Sequence, residues 1–436
     1  MVFDGEAASS LVKELRVSFS SGKTRSYEWR ISQVKALLKM MAEQEDEIVD
    51  ALRSDLAKPP LETVVYEIGM FKNSCELVLR ELKQWMTPEK AKTSITTFPS
   101  SAEIIPEPLG VVLVISAWNY PIFVVLDPVV GAIAAGNAVW DKIFYTGNGK
   151  VGRIVMAAAA KHLTPVVLEL GGKSPTVVDS NVNLEVAARR INFSGKWGCN
   201  NGQACISPDY LITTKEFAPK LVEALKTELE NCFGKNPIES KDLSRIVNSN
   251  HFARLLKFLD EDKVSGKIVY GGEKDESKLR IAPTILLDVP QDSLIMSEEI
   301  FGPLLPIVTV NKLEESFDLI NAGTKPLAAY LFTHDNKFKE QFVKNVSAGG
   351  LLINDTVLHL VVHTLPFGGV GDSGMGAYHG KFSFDAFTHR KAVLYRGFTG
   401  DSSIRYPPYT DTKQKMMKAL VAGDVPGVVR ALIGWS

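Results

Sequence analysis

Cys205 stands in Gly202-Gln203-Ala204-Cys205-Ile206-Ser207-Pro208. Small residues on its amino side let a substrate reach the sulfur, and a thiolate there would be a potent nucleophile. The Gln-Ala-Cys triplet also opens a protease signature, but that signature continues into a residue followed by Gly, which Ile206-Ser207 does not supply. The nearest upstream histidine, His162, lies in an alanine-rich helical stretch, so a cysteine–histidine protease is rejected. Cys199 precedes Cys205 by six residues, yet no CxxC pair or Cys/His cluster accompanies it, which argues against a metal centre. Cys75 and Cys232 fall in helical segments and read as core. His359 and His363 have i, i+4 spacing but no glutamate at 360, so they read as packing residues near a loop.

Glu169 is the second reactive candidate. It ends the apolar run Val166-Val167-Leu168-Glu169-Leu170 and is followed by Gly171-Gly172. Three roles stay open from spacing alone: a ribose hydroxyl acceptor, a general base beside exposed backbone, or a surface carboxylate. Upstream of it, Gly147-Asn148-Gly149-Lys150-Val151-Gly152 follows a strand pattern and opens a helix pattern. That is the context in which G-x-G-x-x-G holds a pyrophosphate, because bare backbone N–H groups and a helix N-terminus favour an anion. A glycine turn selected for tight packing is the alternative. Two further motifs, Glu298-Glu299-Ile300-Phe301-Gly302-Pro303 and the glycine-rich stretch from Pro366 to Gly376, read by themselves as a turn after a short helix and as a loop.

The elements that must position these residues alternate. Residues 8–86 carry apolar positions at helical spacing, interrupted by Pro59-Pro60. Residues 93–106 read as two short strands around a Pro-Ser-Ser turn. Val111–Ile115 is a β-branched run suited to a buried parallel strand. A helix follows over 124–135, then Gly136-Asn137-Ala138-Val139, then at once a further strand over 140–146, a helix over 150–163, and strands at 166–170 and 175–178. The later chain alternates in the same way: helices near 216–232, 313–322 and 337–345, and strand-like runs at 267–270, 283–287 and 305–310. Such alternation predicts an α/β protein built on parallel sheets.

Composition narrows the function classes. The 436 residues hold 49 Lys plus Arg against 50 Asp plus Glu, a net charge of −1, which gives no bulk attraction to nucleic acid or anionic membrane. Four cysteines exclude a disulfide scaffold and point to a reducing compartment. No run of apolar residues predicts a membrane-spanning helix, and the first residues carry no secretory pattern, so a cytoplasmic location is expected. The tail from Lys413 to Trp435 mixes Met416, Met417, Val421, Val425, Val429, Ile433 and Trp435 with basic residues. It could touch a membrane surface, but a helix pair packed on its own domain is the favoured reading.

Taken in order, Trp118-Asn119-Tyr120-Pro121, the 147–152 turn, Leu168-Glu169-Leu170-Gly171-Gly172-Lys173-Ser174-Pro175, Gly202-Gln203-Ala204-Cys205, Glu299-x-Phe301-Gly302-Pro303 and Pro366-Phe367-Gly368-Gly369 resemble the aldehyde dehydrogenase superfamily, and most of all its family 3. The resemblance covers about residues 10–400. It implies a Rossmann-like cofactor domain (1–90 and 107–170), a parallel α/β catalytic domain (171–376), bridging strands (91–106 and 384–398) and a tail (399–436). It also implies NAD or NADP as cofactor, medium-chain, long-chain or aromatic aldehydes as substrates, no metal, and a homodimer. In that pattern Cys205 attacks the aldehyde, Asn119 and the Cys205 N–H hold the oxyanion, and Glu169 activates water. Glu299 holds the nicotinamide ribose, Phe301 lies along the nicotinamide, and Gly147, Asn148, Gly149, Lys150, Val151 and Gly152 face the phosphates.

One departure stands out. In the family the segment matching Gly136–Val139 runs on into a lysine–proline–serine–glutamate strand that contacts the adenosine ribose. A helix, a strand and another helix then precede the glycine turn. Here Val139 is followed directly by Trp140. Only eight residues separate Asn137 from Thr146, too few for a parallel crossover. A βαβ unit needs about 30 residues or more, and by comparison with the family the chain resembles, roughly 40 to 50 residues are absent. A sheet short of one strand should expose apolar edges and bind dinucleotide poorly.

Overall fold

The computed structural model describes residues 4–94, 97, 99–399 and 401–432. The chain divides into two compact units, one of residues 1–82 and 109–387, the other of residues 83–108 and 388–436.

The first unit holds a two-stranded sheet of Lys274–Asp275 and Arg280–Ile281 and two larger sheets. The smaller has four strands in the order Gly374–Met375, Val166–Leu170, Ala138–Gly147, Val111–Ile115; the last three are parallel and the first is antiparallel. The larger has seven strands, from Gly350–Ile353 at one side through Pro175–Val178 and Tyr210–Thr214 to Ile268–Tyr270 at the other. Only the Ile268–Tyr270 pairing is antiparallel. Its strands are nearly continuous apolar runs because both faces are covered. Successive residues serve opposite layers. Val178, Leu211 and Ile307 pack under the helix Ala218–Phe233, while Val177, Ile212 and Val308 pack with Phe338 and Phe342 of the helix Asn336–Asn345. The helices of the amino-terminal region are Gly5–Ser20, Tyr27–Glu43, Glu45–Leu56 and Pro60–Thr63, with Pro60 at the first turn of the last, where a missing N–H is tolerated.

The strand expected over 140–146 begins two residues earlier, as Ala138–Gly147, and takes in the end of the 136–139 segment. The short spacing therefore needs no crossover of its own: the helix Phe123–Ala135 is the only crossover between Val111–Ile115 and this strand. The joint is visible in the register. Val111 pairs with Ala138, but Val112 pairs with Lys142, so the strand carries extra residues there as a bulge. Asp141 fills it: its carboxylate accepts the Val111 N–H at 2.9 Å and ion-pairs with Arg16 at 3.1 Å. Val111 is fully buried, so its N–H has no water to turn to. Asp141→Ala should lower unfolding stability by about 1 kcal/mol, since the ion pair itself is half exposed. Denaturant unfolding checks this, and an unchanged midpoint would mean that the bulge is held elsewhere.

Several apolar residues lie exposed beside the four-stranded sheet. Val111–Ile115 is an outer strand. The helix Gly149–Ala160 buries only Gly152 and Ala159, and Ile154 on it is 62% exposed. Leu163, just beyond, is 90% exposed.

The second unit contains an antiparallel sheet of Glu89–Ala91, Ser100–Pro108 and Thr388–Arg396. The first strand lies earlier than the 93–99 expected for it, and the last begins at Thr388, because residues 380–386 are helical. Ile95, Thr96 and Phe98 of the expected hairpin lie outside the described residues, as do Ile433 and Trp435 of the tail. The rest of the tail forms the helices Asp411–Val421 and Val425–Leu432. No helix among the described residues is long and apolar enough to cross a membrane.

Candidate active site

The three reactive candidates come from separate segments and meet at one cavity of about 690 Å³. Asn119 sits in the loop after the outer strand Val111–Ile115, where the carboxyl end of a parallel strand meets the next helix. Glu169 is near the end of Val166–Leu170, paired in register with Thr146 on one side and Gly374 on the other. Cys205 follows a turn in which Asn200 and Asn201 both take positive φ, at 50° and 53°. Asparagine tolerates that region, and two such residues reverse the chain so that Cys205 faces the cavity.

Cys205 is the partly exposed cysteine of the site; Cys199 is buried, and its Sγ donates to the Ser194 carbonyl at 3.0 Å. Burial, with the negative charge of Glu169 and Glu299, pushes the Cys205 thiol well above its ordinary value. It therefore rests as a thiol and needs a proton acceptor. Glu169 is 1% exposed, and neither carboxylate oxygen makes a hydrogen bond. Burial raises its pKa to about 7, while the nearby Cys205 thiol and Thr146 hydroxyl act to lower it. A carboxylate poised near neutrality has the affinity a general base requires. Of the three roles left open for Glu169, the surface carboxylate is excluded by its burial.

Glu299 is held close by. Its carboxylate lies against Gly171, where an added Cβ would stand 2.1 Å from Oε2. Its pKa is pushed up to about 8, first by burial and then by the charge of Asp209. Arg254 donates to the carbonyls of Glu299 at 3.1 Å and Ile300 at 2.6 Å. Lys173 donates to the Glu298 carbonyl at 3.0 Å and pairs with Asp209, which in turn accepts the Ile300 N–H at 2.9 Å. These contacts hold Phe301 at φ 50°, edge-on to Trp118 at 5.5 Å. Gly171→Ala should therefore displace Glu299 and reduce any dinucleotide-dependent turnover about tenfold or more, with ester hydrolysis at Cys205 much less affected. Equal loss in both assays would mean that Gly171 acts on the nucleophile instead.

The 147–152 turn divides. Gly147, Asn148 and Val151 line the cavity, whereas Gly149, Lys150 and Gly152 do not. Gly152 packs beneath Leu170, 3.1 Å from where its Cβ would be, which is the tight-packing role. Asn148 caps the helix by accepting the Val151 N–H at 2.9 Å, so one donor that a phosphate would use is already engaged.

Sequence reasoning passed over the polar groups that hold these loops. Lys58, Glu62 and Glu67 are buried around Asn119, and Gln203 ties two loops together. Gln203 belonged to a quoted motif, but the acidic residues of 62–67 lie in a stretch that reads only as helix. His359 and His363 pack against aromatic rings as expected, close to Tyr330, Phe367 and His379. Among the described residues no group of three or more His, Cys, Asp or Glu could hold a metal ion.

A partly exposed cysteine, an asparagine amide and a carboxylate whose pKa is raised to about 7 thus line one cavity at the strand ends of an α/β unit. The comparisons give its class: the sequence matches the aldehyde dehydrogenase family over residues 3–143 and 140–393, and the chain belongs to that family. Within it, the chain is one of family 3. It is 62% identical to aldehyde dehydrogenase family 3 member H1 of Arabidopsis thaliana, over 99% of each chain, and 41% identical to family 3 member A2 of Rattus norvegicus, over 93% of each. The solved substrate-bound AldH of Staphylococcus aureus superposes with a TM-score of 0.91 at 37% identity, over 97% of this chain and all of that one. The family match breaks in two at 140–143. The alignment with member H1 spans 478 positions, more than the 436 residues of the chain.

Proposed function

We propose that this protein oxidises aldehydes to carboxylic acids by covalent catalysis at Cys205, with NAD or NADP as the family's hydride acceptor. The observation that carries this reading is the convergence of Cys205, Glu169 and Asn119 on one cavity. Glu169 takes the thiol proton and Cys205 adds to the aldehyde carbonyl, giving a thiohemiacetal. The Asn119 amide and the Cys205 N–H would serve as donors to its oxyanion. A bound dinucleotide, held by Glu299 and Phe301, would supply the hydride acceptor, and Cys205 would then carry the acyl group as a thioester. Glu169, once it has passed the thiol proton to solvent, can draw a proton from water as the water attacks that thioester. Apolar walls from Val357, Leu360 and Phe367 suit medium-chain, long-chain or aromatic aldehydes, and detoxification is the matching role.

Glu299, Phe301 and Trp118 line the cavity together and would hold the nicotinamide end of a dinucleotide. The adenosine end is incomplete. The helix Gly149–Ala160 stands with Val151 and Ile154 exposed, and no crossover follows Ala138–Val139 to wall it in. This favours a second reading, an isoform from which an internal segment was removed at 139/140. Such a chain binds dinucleotide weakly, keeps only ester hydrolysis, or acts through full-length subunits. The cofactor and catalytic regions (1–90 with 107–170, and 171–376), the bridging strands, a homodimer formed through them and a cytoplasmic location remain part of the proposal.

Hydrolysis of an activated ester, which needs no hydride acceptor, tests the shared core of both readings. Glu169 works only when ionised, and its pKa is raised to about 7. Turnover should thus rise with pH, reach half its plateau near 7, and fall tenfold per unit below. Glu169→Gln should remove that limb and cost about 10²- to 10⁴-fold. A wild-type profile flat between pH 5.5 and 8 would overturn the assignment of Glu169.

A further inference from the structure

We propose that Lys58, acting with Glu67 and Glu62, is a positioning residue that aims the Asn119 oxyanion donor of the acyl-transfer centre. This rests on the reading of Cys205 as nucleophile and Asn119 as donor. The contacts form one connected set. Lys58 Nζ donates to Glu67 Oε1 at 2.8 Å and to the Asn119 carbonyl at 2.9 Å, and lies over the Tyr120 ring at 3.9 Å. The other oxygen of Glu67 accepts the N–H groups of Ile122 and Phe123, each at 3.0 Å. The stretch from 119 to 123 is thus held at its leading carbonyl and at its trailing amides by one buried ion pair.

The same set reaches the nucleophile loop. Glu62 accepts the Asn200 N–H at 2.5 Å, and the Asn200 side chain donates to the Asn119 carbonyl at 3.0 Å. The Asn119 side chain donates to the Gln203 carbonyl at 3.0 Å, two residues before Cys205. Gln203 is itself tied to Arg245 at 2.9 Å and Val247 at 3.1 Å. Neither Lys58 nor Glu67 has any exposed side chain. Burying such a pair brings little net stability, because desolvation offsets the attraction. What it supplies here is direction: one ammonium fixes a carbonyl whose residue carries the oxyanion amide.

The test measures the first acylation of Cys205 by 4-nitrophenyl acetate in the full chain, with alkylation of Cys205 by iodoacetamide in parallel. Alkylation develops no oxyanion. Lys58→Met should slow acylation about 10- to 100-fold, with half-saturation shifted by less than about twofold and alkylation by less than about threefold. Lys58→Met combined with Glu67→Gln leaves no stranded carboxylate; it serves where the single variant does not fold, with the same expectation. Placed on Asn119→Ala, Lys58→Met should add less than about threefold, since the donor it aims is gone. Unchanged acylation, an equal loss in both reactions, or fully additive losses would overturn the proposal. Wild-type chain that forms no acyl adduct on Cys205 by mass spectrometry would overturn the nucleophile reading and this proposal with it; adducts in wild type with an unchanged variant would overturn the positioning role alone.

Discussion

Cys205→Ala should abolish the acyl adduct and lower ester turnover by at least about 10³-fold, with stability changed by less than about 1 kcal/mol. The kinetic effect is large because the variant removes the only group on which the intermediate forms. The stability effect is small because Cys205 is partly exposed and loses a single sulfur atom at a cavity wall. Cys199 is the informative control, since it lines the same cavity. Its sulfur is committed to the Ser194 carbonyl, and burial, with the negative charge of Glu62, pushes its thiol up. Cys199→Ala should keep turnover within about threefold. Peptide mapping after acylation decides between the two: an adduct on Cys199, or turnover surviving in Cys205→Ala, would assign the chemistry elsewhere.

How much of this was legible in the sequence depends on the range of the interaction. The alternation of strands and helices was readable because a strand covered on both faces, such as Tyr210–Thr214, must be apolar throughout, and a helix such as Ala218–Phe233 must repeat at 3.6. The site motifs were readable because each is local. Gly171 leaves space for a carboxylate, and Asn200 and Asn201 tolerate positive φ ahead of Cys205. The hairpin was misplaced because the Thr-rich stretch near 93–97 favours strand by type, while pairing with Ser100–Pro108 falls on Glu89–Ala91. Lys58 and Glu67 were missed because charged residues in a helical pattern read as solvent-facing. Only their partners at 119–123, more than fifty residues on, show that they are buried. The fusion at 139/140 was half legible. Missing length could be counted, but whether the two strand ends would collide or merge depended on Asp141 reaching the Val111 N–H.

The second large effect concerns the dinucleotide. Titrating the chain with NAD or NADP should give a Kd at least about 100-fold weaker than that of the same protein with the missing segment restored between Val139 and Trp140 from the Arabidopsis relative, a difference of about 2.7 kcal/mol. The contrast follows from which half of the ligand each surface serves. Glu299 and Phe301 are held by backbone contacts from Arg254, Lys173 and Asp209, none of which involves the shortened sheet, so the nicotinamide end keeps its geometry. The adenosine end would rest on the exposed face of Gly149–Ala160, with the Val151 N–H already bound to Asn148. A ligand held at one end loses the benefit of the other, because the second contact is no longer made at high effective concentration. The same restoration should cover Val151 and Ile154, so the longer chain should also be less prone to self-association. Calorimetric titration of both chains is the check, with ester hydrolysis as the reference that neither change should move more than about threefold, since Cys205, Glu169 and Asn119 are unaltered. Tight binding by the shortened chain with full aldehyde turnover would show that the adenosine contacts are dispensable, and the reading of this chain as deficient in cofactor binding would fall.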